Sequence, residues 1–171
     1  MNIKRIFTHL CAMNWRVKRA FPAATLLAIE HAIKASEIAH TGEIRFVVEN
    51  ALDGAPLFQG QTARERAIDV FSQLRIWDTE HNNGVLIYLL LADRDVEIIA
   101  DRGIHSAVGA AAWETICQTM EVNFRQNAYQ SGVIIGIEAI TAQLVHHFPA
   151  AKTTAGLNAN PNELSDTPVV L

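Results

Sequence analysis

Three stretches of the chain carry apolar residues at strand spacing, and five carry them at helix spacing. The most continuous apolar run is Gly84-Val85-Leu86-Ile87-Tyr88-Leu89-Leu90-Leu91. It is too short to cross a bilayer, which takes ~20 apolar residues. Its length suits a strand buried on both faces. Asp93-Arg94-Asp95 interrupts the pattern, and apolar residues resume at Val96, Ile98 and Ala100. This predicts a tight polar turn between two antiparallel strands. Upstream, Ile44, Phe46 and Val48 alternate with more polar neighbours, predicting a strand over 43–49.

The helical patterns surround these strands. Leu26, Ile29 and Ile33 trace one face of a helix over 23–40, with Pro22 suited to its first turn and Thr41-Gly42 ending it. Asp53-Gly54, Pro56 and Gly60 mark 51–60 as a loop. Thr62 with Glu65 three residues on is a capping box, predicting a helix that buries Ala67, Val70, Phe71 and Leu74. Trp113, Ile116, Met120 and Phe124 define a helix over about 109–126, and Val133, Ile137, Ile140 and Leu144 another over about 131–147. Residues 150–171 lose periodicity and read as a disordered tail. The domain therefore spans 22–149.

The order is helix, strand, helix, strand, strand, helix, helix. Joining the first two strands through a helix implies parallel pairing in one sheet. The result is an α/β fold: a small mixed β-sheet with helices on both faces, an α/β/α sandwich.

The charge distribution separates the first residues from this domain. The net charge is −4, yet Lys4, Arg5, Arg16, Lys18 and Arg19 fall within residues 1–20, which contain no acid. The remainder is strongly acidic and a poor partner for nucleic acid, which is gripped through many phosphate contacts. Thr8, His9 and Asn14 dilute the apolar core that a signal peptide would need, and Arg16, Lys18 and Arg19 stand where a cleavage site should be. The expected location is the cytoplasm. Ile3, Ile6, Phe7, Leu10 and Met13 follow helical spacing beside Lys4 and Arg5. Residues 1–21 thus read as a basic amphipathic arm, able to lie on an anionic membrane surface or to pack on the domain. The two cysteines, Cys11 and Cys117, are distant in sequence and read as free thiols.

The predicted topology sorts the polar residues into two ends. Open α/β sheets bind ligands at the carboxyl ends of their strands. That end carries Asn50 to Gly54 and the Asp93-Arg94-Asp95 turn, near the helix that starts at Thr62. Asp53, Asp93 and Asp95 are candidate hard-oxygen ligands for Ca²⁺ or Mg²⁺. Arg94 is a candidate for a phosphate or carboxylate, or for a neighbouring carboxylate of its own chain. The opposite end gathers Glu43, Asn82, Asn83, Asp101 and Arg102, of which Asn82 and Asn83 are candidate ligand-binding residues. His81, beside Glu80 and Asp78, is the best acid–base candidate by composition, but it sits in a turn at that opposite end. No GxSxG, HExxH, P-loop or GxGxxG motif occurs.

Asn82-Asn83-Gly84-Val85-Leu86, followed by Ala92-Asp93-Arg94-Asp95-Val96-Glu97-Ile98, resembles the TPM domain family. Gly42-Glu43-Ile44, Arg102-Gly103-Ile104, and Phe124 through Tyr129 to Gly132-Val133 agree with it in the same order. The resemblance covers roughly 25–147 and is closest to short bacterial members without an export signal or membrane span. It implies an α/β sandwich. For function it implies two alternatives: an accessory or binding module acting at a membrane surface or on a membrane-protein complex, or an acid-phosphatase-like hydrolase assisted by a divalent metal, with calcium binding known in the family. The sequence departs from the family at Ala92-Asp93, where many members carry two acids. It departs again at Asp101-Arg102-Gly103 and at Asn127-Ala128-Tyr129. The loss of an acid at position 92 weakens a metal site there.

Overall fold

A computed structural model describes residues 3–12, 15–150 and 162–171. Among these, the elements run α1 (Ile3–Leu10), α2 (Trp15–Ala20), α3 (Ala23–Ser36), β1 (Glu43–Glu49), α4 (Gly54–Gln59), α5 (Ala63–Gln73), β2 (Gly84–Leu90), β3 (Asp95–Ala100), α6 (Arg102–Val108), α7 (Ala110–Arg125), α8 (Tyr129–His147) and β4 (Val169–Val170). The sheet order is β3-β2-β1-β4. β1 and β2 are parallel, with Glu43 opposite Gly84 and Glu49 opposite Leu90. β3 returns antiparallel to β2. The expected mixed sheet with helices on both faces is the fold observed.

The apolar run of β2 follows from its central place in this sheet. Successive side chains of a strand point to opposite faces. Ile87 and Leu89 enter a core with Ile29 and Ile33 of α3 and Met120 of α7. Leu86, Tyr88 and Leu90 enter a second core with Ala67 and Val70 of α5. Both faces are covered, so no position in β2 needs to be polar. The α5 capping box forms as expected: the Glu65 N–H donates to Thr62 Oγ1 at 3.1 Å and the Thr62 N–H to Glu65 Oε2 at 2.8 Å.

Two expectations need correction. Residues 162–171 are not a disordered tail; the remainder of that stretch, 151–161, lies outside the described residues. β4 pairs parallel with β1, Val47 opposite Val169. The Glu163 and Leu164 N–H groups donate to the two carboxylate oxygens of Glu43 at 3.1 and 3.2 Å. A two-residue strand has no periodicity to read, and it is ordered by backbone and carboxylate acceptors distant in sequence. Within 51–60, Gly54–Gln59 is a helix that Gly60 closes in the left-handed region at φ 79°. Asp101-Arg102-Gly103 is a helix start, Asp101 accepting from the Arg102 N–H at 2.7 Å. No helix among the described residues is long and apolar enough to cross a membrane.

Candidate functional site

The first two helices straddle the sheet. Ile6 of α1 packs on the α5 core, and Val17 of α2 is buried in the core on the other face. Ala12, just after α1, is held at the carboxyl end of β1, where Asn50 Nδ2 donates to its carbonyl at 3.0 Å. The basic residues of the arm are thereby brought to the end of the sheet at which α/β folds take ligands.

There they meet the β2–β3 turn and treat its two charges differently. Asp93 receives the Arg5 Nε–H at 2.9 Å and pairs with His9 Nε2 at 2.9 Å. The tautomer of His9 follows from its other nitrogen. Nδ1 accepts the Leu52 N–H at 2.9 Å, so Nε2 carries the proton and donates to Asp93. The His9 side chain has no exposed surface, and Arg5 also donates to the Gln61 carbonyl at 2.9 Å. Burial pushes the Asp93 carboxyl up. The hydrogen bonds and charges of Arg5 and His9 outweigh this, and its pKa lies below the ordinary range. Both oxygens of Asp93 are therefore engaged by the arm.

Arg94 takes the other side. Its backbone is left-handed, at φ 54°. Its side chain lines a cleft of about 420 Å³ together with Arg16 and Arg19 of α2, between walls that include Trp15, Leu91 and Tyr129. Arg19 lies over the Trp15 ring, 5.9 Å from its centroid. Among the described residues none of the three arginines is ion-paired, whereas Arg5, Arg64, Arg66 and Arg125 each hold a carboxylate. Among the described residues the cleft lining contains no Asp, Glu, His, Cys or Ser.

The remaining candidates are dispersed. Asp95 begins β3, and burial with Glu97, Glu121 and Asp93 nearby pushes its carboxyl from 3.8 to about 6. Asp53 is exposed at the N-cap of α4, without a side-chain cap bond. No group of three or more His, Cys, Asp or Glu side chains that could hold a metal occurs among the described residues, so Asp53, Asp93 and Asp95 do not converge as a Ca²⁺ or Mg²⁺ cage. Asn82 and Asn83 are at the other end of β2 from Arg94. Asn82 accepts from Arg102 Nε at 3.2 Å, and Asn83 is buried and donates to the Thr41 carbonyl at 3.0 Å. They shape the turn into β2. His81 is exposed beside them. Arg16 and Arg19 were legible as cations, but nothing local in the sequence marks them as neighbours of Arg94.

A scan against family models matches the TPM domain over residues 18–143. The chain belongs to the TPM domain family. No curated protein shows significant similarity to it. Among solved structures, the NMR structure of the BA42 protein from the psychrophilic bacterium Bizionia argentinensis is 29% identical, with a TM-score of 0.73, covering 88% of this chain and 95% of that one. The N-terminal domain of a P. gingivalis protein, also solved by NMR, is 20% identical with a TM-score of 0.55, covering 69% and 74%. The second likeness is one of fold alone. In this TPM domain α1 and the first part of α2 precede the matched segment, so Arg5, His9 and Arg16 lie outside it while Asp93 and Arg94 lie within it.

Proposed function

We propose that this TPM domain is a binding module that docks on an anionic membrane surface through α1 and α2. The observation that carries the reading is the outer face of α1. Ile3, Phe7 and Leu10 are 75%, 69% and 62% exposed and follow i, i+4, i+7 spacing. The opposite face is fastened to the domain by Arg5 and His9. Lys4 follows Ile3 in α1, and Trp15, Lys18 and Arg19 are exposed residues of α2. An apolar stripe edged by cations, on a protein otherwise acidic, complements anionic lipid. Burying an apolar side chain of this size is worth about 1.5–3 kcal/mol. Each cation near such a surface adds about 1 kcal/mol.

Flotation with phosphatidylcholine vesicles, with and without phosphatidylglycerol, tests this reading. The protein should float with the anionic vesicles and lose that binding in high salt. An Ile3→Ser/Phe7→Ser/Leu10→Ser variant should stay at the bottom, since these exposed side chains leave the fold intact. Equal behaviour of the two proteins would overturn the reading. The alternative, a metal-assisted phosphatase, has less in its favour. Asp93 is engaged by Arg5 and His9, and among the described residues the arginine cleft is lined by no Asp, Glu, His, Cys or Ser.

A further inference from the structure

We infer that the cleft between β3 and α7 is a docking site for a lysine- or arginine-bearing peptide segment of a partner protein. The cleft measures about 570 Å³, and four carboxylates line it: Asp95 and Glu97 of β3, and Glu114 and Glu121 of α7. Among the described residues Arg64 and His105 are its only basic members. Arg64 is taken up by Glu97 at 2.9 Å, and Arg125, which does not line the cleft, by Glu121 at 2.9 Å. Asp95 and Glu114 have no ion pair among the described residues. Burial raises both the Asp95 carboxyl and the Cys117 thiol, and the charges of Glu97 and Glu121 raise them further. The acids thus share one negative field, which a cation relieves. A second observation is Trp113, in the same lining. It is 4% exposed, and its indole N–H is buried without a hydrogen-bond partner among the described residues. A buried donor left unpaired is costly.

The walls decide between kinds of cation. No group of three or more His, Cys, Asp or Glu side chains that could hold a metal occurs among the described residues. Carboxylates distributed along a cleft suit instead a charge carried on a flexible stem. Lysine and arginine lay such stems on apolar surface while their heads meet the acids, and Val96, Ile98 and Ala110 supply that surface. An indole N–H can only donate. The occupant must therefore bring an acceptor as well as a cation. A peptide brings both, in its main-chain carbonyls and its basic side chains, whereas a protonated polyamine brings donors alone. β3 is the outermost strand of the sheet, but Val96 and Ile98 are only 2% and 3% exposed. Their main chain is not open to strand pairing, so recognition falls to the side chains. The volume is in the range of sites that enclose small groups, enough for one or two side chains of a segment. No residue of α1 or α2 lines the cleft, so the site stands or falls apart from membrane docking.

The test uses the full chain and three probes: the acetylated and amidated peptide Ala-Lys-Ala-Lys-Ala, the same peptide with glutamine for lysine, and spermidine. Calorimetry gives the affinity. The Trp113 indole N–H resonance, assigned with Trp113→Phe, reports the acceptor. The lysine peptide should bind saturably and move that resonance, and the glutamine peptide should do neither. Glu114→Gln should weaken the lysine peptide about tenfold or more, as expected for losing a charged hydrogen-bonding partner, and so should Asp95→Asn. Glu114 is exposed, so its variant keeps the fold even if the half-buried Asp95 variant does not. Unsaturable binding of the lysine peptide, an unmoved Trp113 resonance at saturation, or equal affinity in Glu114→Gln overturns the site. Spermidine binding as tightly as the lysine peptide, with the same loss in Glu114→Gln, overturns the peptide in favour of a soluble polyamine.

Discussion

Raising the pH through neutrality should loosen the protein, and Glu43 is the residue that makes the effect measurable. It begins β1 with no exposed surface. Its two oxygens accept the Glu163 and Leu164 N–H groups that bring the last residues to the sheet. Burial pushes its carboxyl up from 4.5 to about 7; the two N–H groups oppose this, and the charges of Glu163 and Asp166 add to it. A carboxyl raised in the folded state favours folding while it is protonated. That contribution is fully present below pH 4.5 and is lost as the pH rises through about 7. At about 1.4 kcal/mol per pH unit, the loss attributable to Glu43 is about 3 kcal/mol between those limits. Glu37, also buried and next to Glu43 and Asp166, is shifted in the same direction by burial and steepens the wild-type slope. The perturbation is Glu43→Gln, which fixes the side chain as neutral. One amide oxygen can still accept an N–H, and the other acceptor is lost at a cost of about 1–3 kcal/mol at every pH. Urea denaturation at pH 5.5, 7 and 8.5 would show the wild type losing stability with pH and the variant losing about 2 kcal/mol less over the same interval, the rest of the Glu43 effect falling below pH 5.5. Parallel pH profiles for the two proteins would refute the reasoning.

Asp93→Asn should free α1. Its expected cost is about 1–3 kcal/mol of docking energy, because Arg5 and His9 lose their shared acceptor. Faster amide exchange confined to residues 3–10 is the readout. Because the Asp93 pKa is depressed, its contribution is present above the ordinary 3.8 and is lost only as the pH falls through a still lower value, so α1 should remain docked in mild acid. Gly84→Ala should unfold or severely destabilise the protein, because a methyl group there would collide with the Ile76 carbonyl oxygen. A thermal melt decides this. Cys117, whose thiol burial pushes up to about 12, should resist iodoacetamide at pH 8 while the exposed Cys11 is alkylated, as mass spectrometry of timed digests would show.

The parts of the fold that sequence pattern reveals are those whose cause is local or periodic. β2 announces itself because every one of its residues is covered. The α5 start announces itself because Thr62 and Glu65 exchange hydrogen bonds within one turn. α4 was readable in principle. Pro56 in its first turn and left-handed Gly60 after its end have the usual positions of those residues, but six helical residues are fewer than periodicity can resolve. β4 and the fastening of α1 leave no local trace. Their partners are far away in sequence, 88 residues apart for Arg5 and Asp93 and 120 for Glu163 and Glu43.

The same distinction governs the site. The sequence places Asp93, Arg94 and Asp95 in one acidic turn at the ligand-binding end of the sheet, and that location is correct. Read alone, the turn suggests a cation. The arm changes its surroundings by bringing four cationic or hydrogen-donating side chains to two consecutive residues: Arg5 and His9 engage Asp93 on one side, and Arg16 and Arg19 line a cleft with Arg94 on the other. A turn whose acids suggest a cation when read alone thus borders a cleft lined by three arginines.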